Sequence, residues 1–369
     1  MPAGMFWIPG CGIWGGVNSA VLQEIHDTIA HVLKARFLDW RTCFTHVRAE
    51  PPEGRRVVIE CSDRGVLGEI RRRLSGHEWM EGVTLDFVEL PVGNGAFAEV
   101  VIAATSVADI RRSPSHAVEL VTQVVCGDAV APLKQEGDWV LVRLDDSYIG
   151  WVRSWHLKGL SRREYDEFDA KARHRVRDNM IQILETPEDS ALPVSDAVVG
   201  TRVVVESCPR RGWRRVTLPD GRQGSARARG FEERLSSSRI SRENLAVTGL
   251  RFIGIPYVWG GTTPKGFDCS GLTQRIFRLH GMLIPRDSDL QAGFGRAKIA
   301  GTIDGLCTGD LLFFGKSPAQ ITHVGMYLSN GLFLHAHGQV RVNALFPAHP
   351  LFEERLVSDW QLTRDPLIK

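Results

Sequence analysis

Apolar residues along the first ninety positions follow two rhythms. From Ser19 to Ala35, the residues Val21, Ile25, Ile29, Val32 and Leu33 recur every three or four positions, which places them on one face of a helix. Asp63 opens a second such pattern with Val66, Leu67, Ile70 and Leu74, and its short carboxylate suits a helix N-cap. The runs Val57 to Cys61 and Val83 to Phe87 read as strands, the latter alternating Val83, Leu85 and Phe87 on one face. These elements predict a small α+β domain ending at the turn PVGNG, Pro91 to Gly95. No chemistry is legible in it, and its His26 and His31 have no partner spacing, which leaves a structural or docking role.

Beyond that turn the pattern changes to short alternating runs that repeat. Gly127, Trp139, Val142, Tyr148, Gly150 and Trp151 are echoed by Gly200, Trp213, Val216 and Gly224, at a period of 73 or 74 residues. Each copy has a tight turn, DDSY or PDGR, and a tryptophan at the same place, which predicts one small barrel per copy. The first copy resembles bacterial SH3 domains, whose G…V…W…V…GYxGWV pattern it matches. The second lacks the aromatic residue before its final glycine and matches more loosely.

A third regime follows the serine run Ser236 to Ser238. Ser241 is placed to cap a helix carrying Leu245, Ala246, Leu250, Phe252 and Ile253, which Gly254 and Pro256 terminate. Leu272, Ile276 and Leu279 mark another helix that begins at Cys269 and closes at Gly281 and Pro285. HVGMYL, from His323, and LFLHAH, containing His335, read as two strands joined by the turn SNG. The expected units are 1–94, 95–160, 161–236 and 237–369.

Length and composition narrow the function class. A chain of 369 residues needs several cores. A formal net charge of +2 supplies no global field for a polyanion or a membrane, so any charged partner must be met locally. No run of eighteen apolar residues occurs, and MPAGMFWIPGCGIWGGVNSA lacks a basic start, so it reads as part of a fold, not a signal peptide. The seven cysteines, at 11, 43, 61, 126, 208, 269 and 307, are scattered singly with no CxxC pair; neither a zinc site nor a disulfide framework is legible, and a reducing, cytoplasmic setting is expected.

The stretch GFDCSG singles out Cys269. Glycines around a lone thiol allow a tight turn, and a helix N-terminus favours a thiolate through its unpaired N–H groups and macrodipole. His323 is placed to accept the thiol proton and His335 to fix its ring, the arrangement of covalent acyl transfer. From residue types alone, a core thiol and two packed histidines remain an open alternative. Cys126, Cys307 and the other cysteines lack a helix start and are expected to pack.

Residues 245 to 345 resemble the NlpC/P60 family of papain-like cysteine peptidases that act on bacterial cell-wall peptides. The matches, in order, are YVWGG, GFDCSGL, IPRDSDLQ, TGDLLFF, HVGMYL and LFLHA. The resemblance implies a Cys269–His323–His335 triad and no metal or organic cofactor. His337, on the same strand face as His335, is a neighbour. The overall class is then multidomain: a papain-like α+β peptidase domain at the C-terminus, two SH3-like barrels, and an N-terminal α+β domain.

SH3-like domains ahead of such a peptidase resemble the subgroup that cleaves free murein peptides between γ-D-glutamate and the diamino acid. There the first barrel walls off the cleft, so that only a peptide with a free N-terminal L-alanine fits. The resemblance implies Tyr148, Glu119 and Asp268 around the ammonium, Ser270 and Ser288 with Arg286 on the D-glutamate carboxylate, and Tyr257 at the substrate or oxyanion. Turn capping by Asp268 and Ser270, packing by the tyrosines, plain surface charge for Glu119, and a structural hold by Arg286 on Asp287 or Asp310 stay open beside these roles. No nucleic acid or membrane partner is expected. Two other functions are kept: an exported peptidoglycan hydrolase with the barrels as wall anchors, and an anionic-polymer binder using the seven arginines between Cys208 and Gly230 around Trp213.

Overall fold

The structure, a computed structural model, describes residues 19–50, 56–75, 83–91, 97–233 and 240–368. The stretch before Ser19, most of the PVGNG turn and the serine run lie outside the described residues.

The first unit comprises α1 (Ser19–Ala35), β1 (Thr45–Glu50), β2 (Arg56–Cys61), α2 (Arg64–Leu74) and β3 (Thr84–Glu89). β2 is central, antiparallel to β1 and parallel to β3, with α2 as the crossover. Both helices bury the residues that their periodicity selects, and Asp63 caps α2 by accepting from the Val66 amide at 2.8 Å. β1, THVRAE, escaped the sequence reading because it is mostly polar and none of its positions is fully buried. Cys43 and Cys61, read as isolated, are brought together with their sulfurs 3.7 Å apart in this core.

The repeat is structural, strand for strand. β4 (Val100–Ala103), β5 (Val107–Arg111), β6 (Leu120–Val125), β7 (Ala129–Glu136), β8 (Trp139–Arg143), β9 (Ile149–Arg153) and β10 (Leu157–Leu160) pair in the order β10-β4-β7-β8-β9-β5-β6. After α3 (Arg162–Lys171) come β11 (His174–Val176), β12 (Met180–Leu184), β13 (Pro193–Val198), β14 (Arg202–Ser207), β15 (Trp213–Thr217), β16 (Gln223–Arg227) and β17 (Phe231–Glu233). Their order, β17-β11-β14-β15-β16-β12-β13, copies the first sheet. The glycines of the repeat have one steric cause: a Cβ on Gly150 would lie 2.4 Å from Ile110, and one on Gly224 would lie 2.6 Å from Ile183.

The last unit contains α4 (Arg242–Leu250), β18 (Thr262–Thr263), β19 (Gly266–Phe267), α5 (Cys269–Leu279), α6 (Ser288–Gln291), β20 (Arg296–Lys298), β21 (Leu311–Gly315), β22 (Ile321–Ser329), β23 (Leu332–His337), β24 (Gln339–Ala344), α7 (Glu354–Ser358) and β25 (Trp360–Asp365). Six of these strands form an antiparallel sheet in the order β20-β25-β21-β22-β23-β24. α5 packs on β22 and β23 through a core including Leu272, Ile276, Val324, Met326 and Leu334. All of α5 except Arg278 is buried, so this helix is a central pillar and not an amphipathic surface element.

The units are tied together by polar bonds. Gln123 of the first barrel accepts from the Thr262 amide at 3.1 Å, Gln274 of α5 donates to Asp146 at 2.8 Å, and Arg278 pairs with Asp145 at 2.8 Å. Gly260 is required here, since a Cβ would meet the Leu120 carbonyl oxygen at 2.3 Å and the residue has φ 77°. On the other side of the barrel, Lys134 pairs with Glu60 of β2 at 2.6 Å in a largely buried contact.

Candidate active site

Cys269 is the first residue of α5, and Asp268 is its N-cap, accepting from the Gly271 amide at 2.6 Å. The sulfur is buried, and the backbone of Ser270 and of Val324, the residue after His323 on β22, favours its charged form. Burial, followed by the nearby Asp268 carboxylate, pushes the thiol up to about 12. That direction runs against the expected thiolate: the backbone of Val324 and Ser270 and the Arg286 charge do not offset desolvation beside an anion. The sulfur and the His323 imidazole make no hydrogen bond with each other.

The histidines form an ordered relay. His323 Nε2 lies 2.8 Å from His335 Nδ1, and His335 Nε2 lies 2.9 Å from Asn343 Oδ1. The Asn343 amide is fixed, because its Nδ2 donates to the Leu351 carbonyl at 2.7 Å and its Oδ1 also accepts from Arg341 Nε at 2.9 Å. His335 Nε2 must therefore carry the hydrogen, its Nδ1 must accept from His323 Nε2–H, and His323 Nδ1 is left as the bare basic nitrogen. Both rings are neutral: burial and the neighbouring imidazoles depress His323 to about 3, and burial depresses His335 to about 4. His337 is exposed, with its ring 6.2 Å from that of His323. The half-buried Tyr257 lies near the sulfur, and burial together with Cys269 and Asp268 raises its phenol.

The expected substrate residues divide. Asp268 is consumed by structure: Arg286 holds it with Nη1 at 3.0 Å and Nη2 at 2.5 Å, and the Gly260 amide donates to it at 2.9 Å. Ser270 accepts from Arg286 Nη1 at 2.9 Å. Arg286 Nε is buried without a partner, and Ser288 is half-buried at the start of α6. Glu119 is also engaged, accepting from the Trp259 indole at 2.7 Å and pairing with Arg112 at 3.6 Å. Neither Asp268 nor Glu119 is thus an open acid. Tyr148 instead donates its hydroxyl hydrogen to Asp287 Oδ2 at 3.1 Å, across the junction between the first barrel and the peptidase unit. Burial raises the Asp287 carboxyl despite Arg286 and Arg41.

Sequence reasoning missed Asn343, Asp287 and Arg41. Asp287 stood in IPRDSDLQ and entered only beside Asp310 as a structural partner for Arg286, which pairs with Asp268 instead. Asn343 and Arg41 gave no local signal, because each matters through a strand or unit distant in sequence. Cys307, expected to pack, is exposed. Trp213, proposed as a stacking platform among arginines, is buried, and Arg227 covers its ring at 4.3 Å. Arg210 pairs with Glu188 at 3.3 Å and Arg222 pairs with Asp220 at 2.5 Å.

The profile of the NlpC/P60 family matches residues 254–361, and that of the bacterial dipeptidyl-peptidase SH3 domain matches residues 110–157. Dipeptidyl-peptidase 6 of Lysinibacillus sphaericus is 30% identical over 273 residues, which cover 70% of this chain and 96% of that protein. The γ-D-glutamyl-L-lysine dipeptidyl-peptidase of Bacillus cereus is 30% identical over 63% of this chain and 72% of its own length. The crystal structure of an NlpC/P60 family protein from Bacillus cereus superposes with a TM-score of 0.61 at 24% identity, over 73% of this chain and all of that one, and so shares the fold. With its papain-like unit behind SH3-like barrels, the chain belongs to the NlpC/P60 family of cysteine peptidases.

Proposed function

We propose that the protein hydrolyses the γ-D-glutamyl–diamino acid bond of small murein peptides bearing a free N-terminal L-alanine, in cytoplasmic recycling of cell-wall peptides. Relatives named as γ-D-glutamyl-L-lysine dipeptidyl-peptidases support the bond and substrate class. Within this chain the carrying observation is the Tyr148–Asp287 contact at 3.1 Å, which joins a phenol and a carboxylate from two units into one receptor suited to an ammonium. Asp287 takes the place first given to Glu119 and Asp268.

The chemistry starts from a neutral pair. As the Cys269 sulfur attacks the γ-carbonyl carbon, its proton passes to His323 Nδ1, and the oxyanion accepts from the Cys269 N–H, which has no acceptor within its own helix. The C–N bond then breaks, and the imidazolium delivers its proton to the departing amine. Water, deprotonated by the same nitrogen, attacks the thioester; the S–C bond breaks, the thiol regains its proton and L-Ala-D-Glu leaves. His335 and Asn343 keep His323 in the required tautomer. Ser288, supported by Ser270 and Arg286, receives the α-carboxylate of D-glutamate, and Tyr257 flanks the reacting centre.

Mass-spectrometric digestion of L-Ala-γ-D-Glu-meso-diaminopimelate, its L-lysine counterpart and their N-acetylated forms tests this. Release of L-Ala-D-Glu from free-amine peptides, lost in Cys269→Ala, is expected. Equal turnover of acetylated peptides, or cleavage at another bond, overturns it.

A further inference from the structure

Arg41 lies in the segment between α1 and β1, outside both the peptidase unit and the barrels, yet its side chain ends at α6. Its Nη1 donates to Asp287 Oδ2 at 3.0 Å and to Asp289 Oδ1 at 2.8 Å, while Nη2 donates to Asp289 Oδ2 at 2.9 Å. Asp39 grips the same guanidinium from behind, with Nη2 to Oδ2 at 2.6 Å. The segment is clamped beside the cleft tyrosine: the Ile149 amide donates to the Arg41 carbonyl at 2.7 Å, and the Trp40 ring meets the Tyr148 ring edge-on at 6.1 Å. Arg112 covers the outer side of Trp40 at 4.6 Å.

The two oxygens of Asp287 are used unequally. Oδ2 accepts from both Tyr148 and Arg41, whereas Oδ1 takes no hydrogen bond from a described residue. Both oxygens of Asp268 are occupied by Arg286, and both of Asp289 by Arg41. Asp287 is therefore pinned through one oxygen and open at the other. Three carboxylates, Asp39, Asp287 and Asp289, surround the single Arg41 guanidinium, since the Arg286 charge is taken by Asp268. The cluster keeps a negative balance, and removing Arg41 would leave the three anions repelling one another.

We propose that Arg41 is a positioning residue for substrate selection: the N-terminal unit lends its guanidinium to hold the Asp287 carboxylate with Oδ1 presented to the substrate's terminal ammonium. This role rests on the free-amine reading above and assigns a task to the first unit. A lysine at 41 carries the charge but lacks the fork that spans Asp287 and Asp289, so it substitutes only in part.

The test uses the full chain and compares KM and kcat for L-Ala-γ-D-Glu-meso-diaminopimelate and its N-acetylated form in wild type, Arg41→Ala, Arg41→Lys and Asp289→Asn. Arg41→Ala is expected to raise KM for the free-amine peptide about tenfold with little change in kcat, and to leave the acetylated peptide unaffected. Arg41→Lys recovers part of the loss. Asp289→Asn, which loosens Arg41 at an exposed position without altering the N-terminal unit, reproduces a smaller KM rise and serves if Arg41→Ala does not fold. Equal losses on both peptides would make Arg41 merely structural, and a fall in KM would make it a lid over the pocket; either result overturns the proposal. Wild type that accepts both peptides equally defeats the free-amine reading itself, whereas wild type that discriminates beside variants that discriminate equally defeats only the role of Arg41.

Discussion

Asn343 Oδ1 accepts from His335 Nε2 at 2.9 Å, and that one bond fixes which nitrogen of each imidazole carries a hydrogen. A neutral amide does this without adding charge, which agrees with two rings held uncharged. Asn343→Ala should leave the relay free to adopt either tautomer and lower kcat by about 10- to 100-fold with little change in KM. Asn343→Asp separates orientation from charge. A carboxylate there favours the protonated imidazoles, raises their pKa values, and moves the acid limb of the kcat/KM profile to higher pH, because the base must be unprotonated to act. An unmoved acid limb in Asn343→Asp would disconnect Asn343 from the base.

Burial and the Asp268 carboxylate favour the thiol form of Cys269 at rest. Thiolate absorbance near 240 nm, taken as the difference between wild type and Cys269→Ala, should be absent at pH 7 and should grow as the pH nears the value of about 12 to which burial and Asp268 push the group. Exposed Cys307 supplies an internal comparison, and iodoacetamide should modify it at least about tenfold faster than buried Cys269 at neutral pH. A thiolate signal at pH 7 would mean that a sulfur–imidazolium ion pair forms before substrate arrives.

Much of this architecture was readable from local pattern. Helical spacing delimited α1 and α5, the N-caps Asp63 and Ser241 stand where their short polar side chains predicted, and Asp268 takes the capping role kept open beside its substrate role. The repeat was visible because its tryptophans and glycines answer to one barrel geometry; β8 and β15 begin on Trp139 and Trp213. Cys269, His323 and His335 stood out because they sit in dense motifs on adjacent elements. What escaped depends on contacts made across the sequence: Asn343 reaches His335 only after β24 pairs with β23, and Arg41 meets Asp287 across 246 residues. The upward shift of the thiol was hidden for a related reason, since the helix end is local and visible whereas the burial that opposes it comes from the whole unit.

Arg286 and Asp268 form a buried ion pair under the nucleophile, with Arg286 1% exposed. Breaking it from one side strands a charge, so Arg286→Met should destabilise the peptidase unit by about 3–5 kcal/mol, read as a lowered thermal midpoint. The double variant Arg286→Met/Asp268→Asn should recover part of that loss, because no charge is stranded; the recovery is incomplete, since the single amide oxygen replaces only one of the two carboxylate oxygens that accept from the Gly260 and Gly271 amides. A double variant as unstable as the sum of the two single variants would show that the pair contributes packing and not charge compensation.

Acid should weaken the fold through the relay. His323 and His335 are depressed from the ordinary 6.5 to about 3 and about 4, so the unfolded chain binds their protons more tightly than the folded one. Their neutral burial therefore costs nothing above pH 6.5, and stability falls as the pH drops from 6.5 towards 4, where the effect of His335 saturates. For His335, fully buried, the loss is roughly 3 kcal/mol across that window. Chemical denaturation of wild type and His335→Asn at pH 7.5 and 4.5 isolates it: wild type should lose roughly 2 to 3 kcal/mol more than the variant between the two conditions. Acid-sensitive carboxylates such as Glu60, held at about 2 by His46 and Lys134 against its burial, are common to both proteins and cancel. Equal losses in the two proteins would mean that His335 gains a proton in the folded state without cost, against the expectation for a ring bonded between Asn343 and His323 with no neighbouring anion among the described residues.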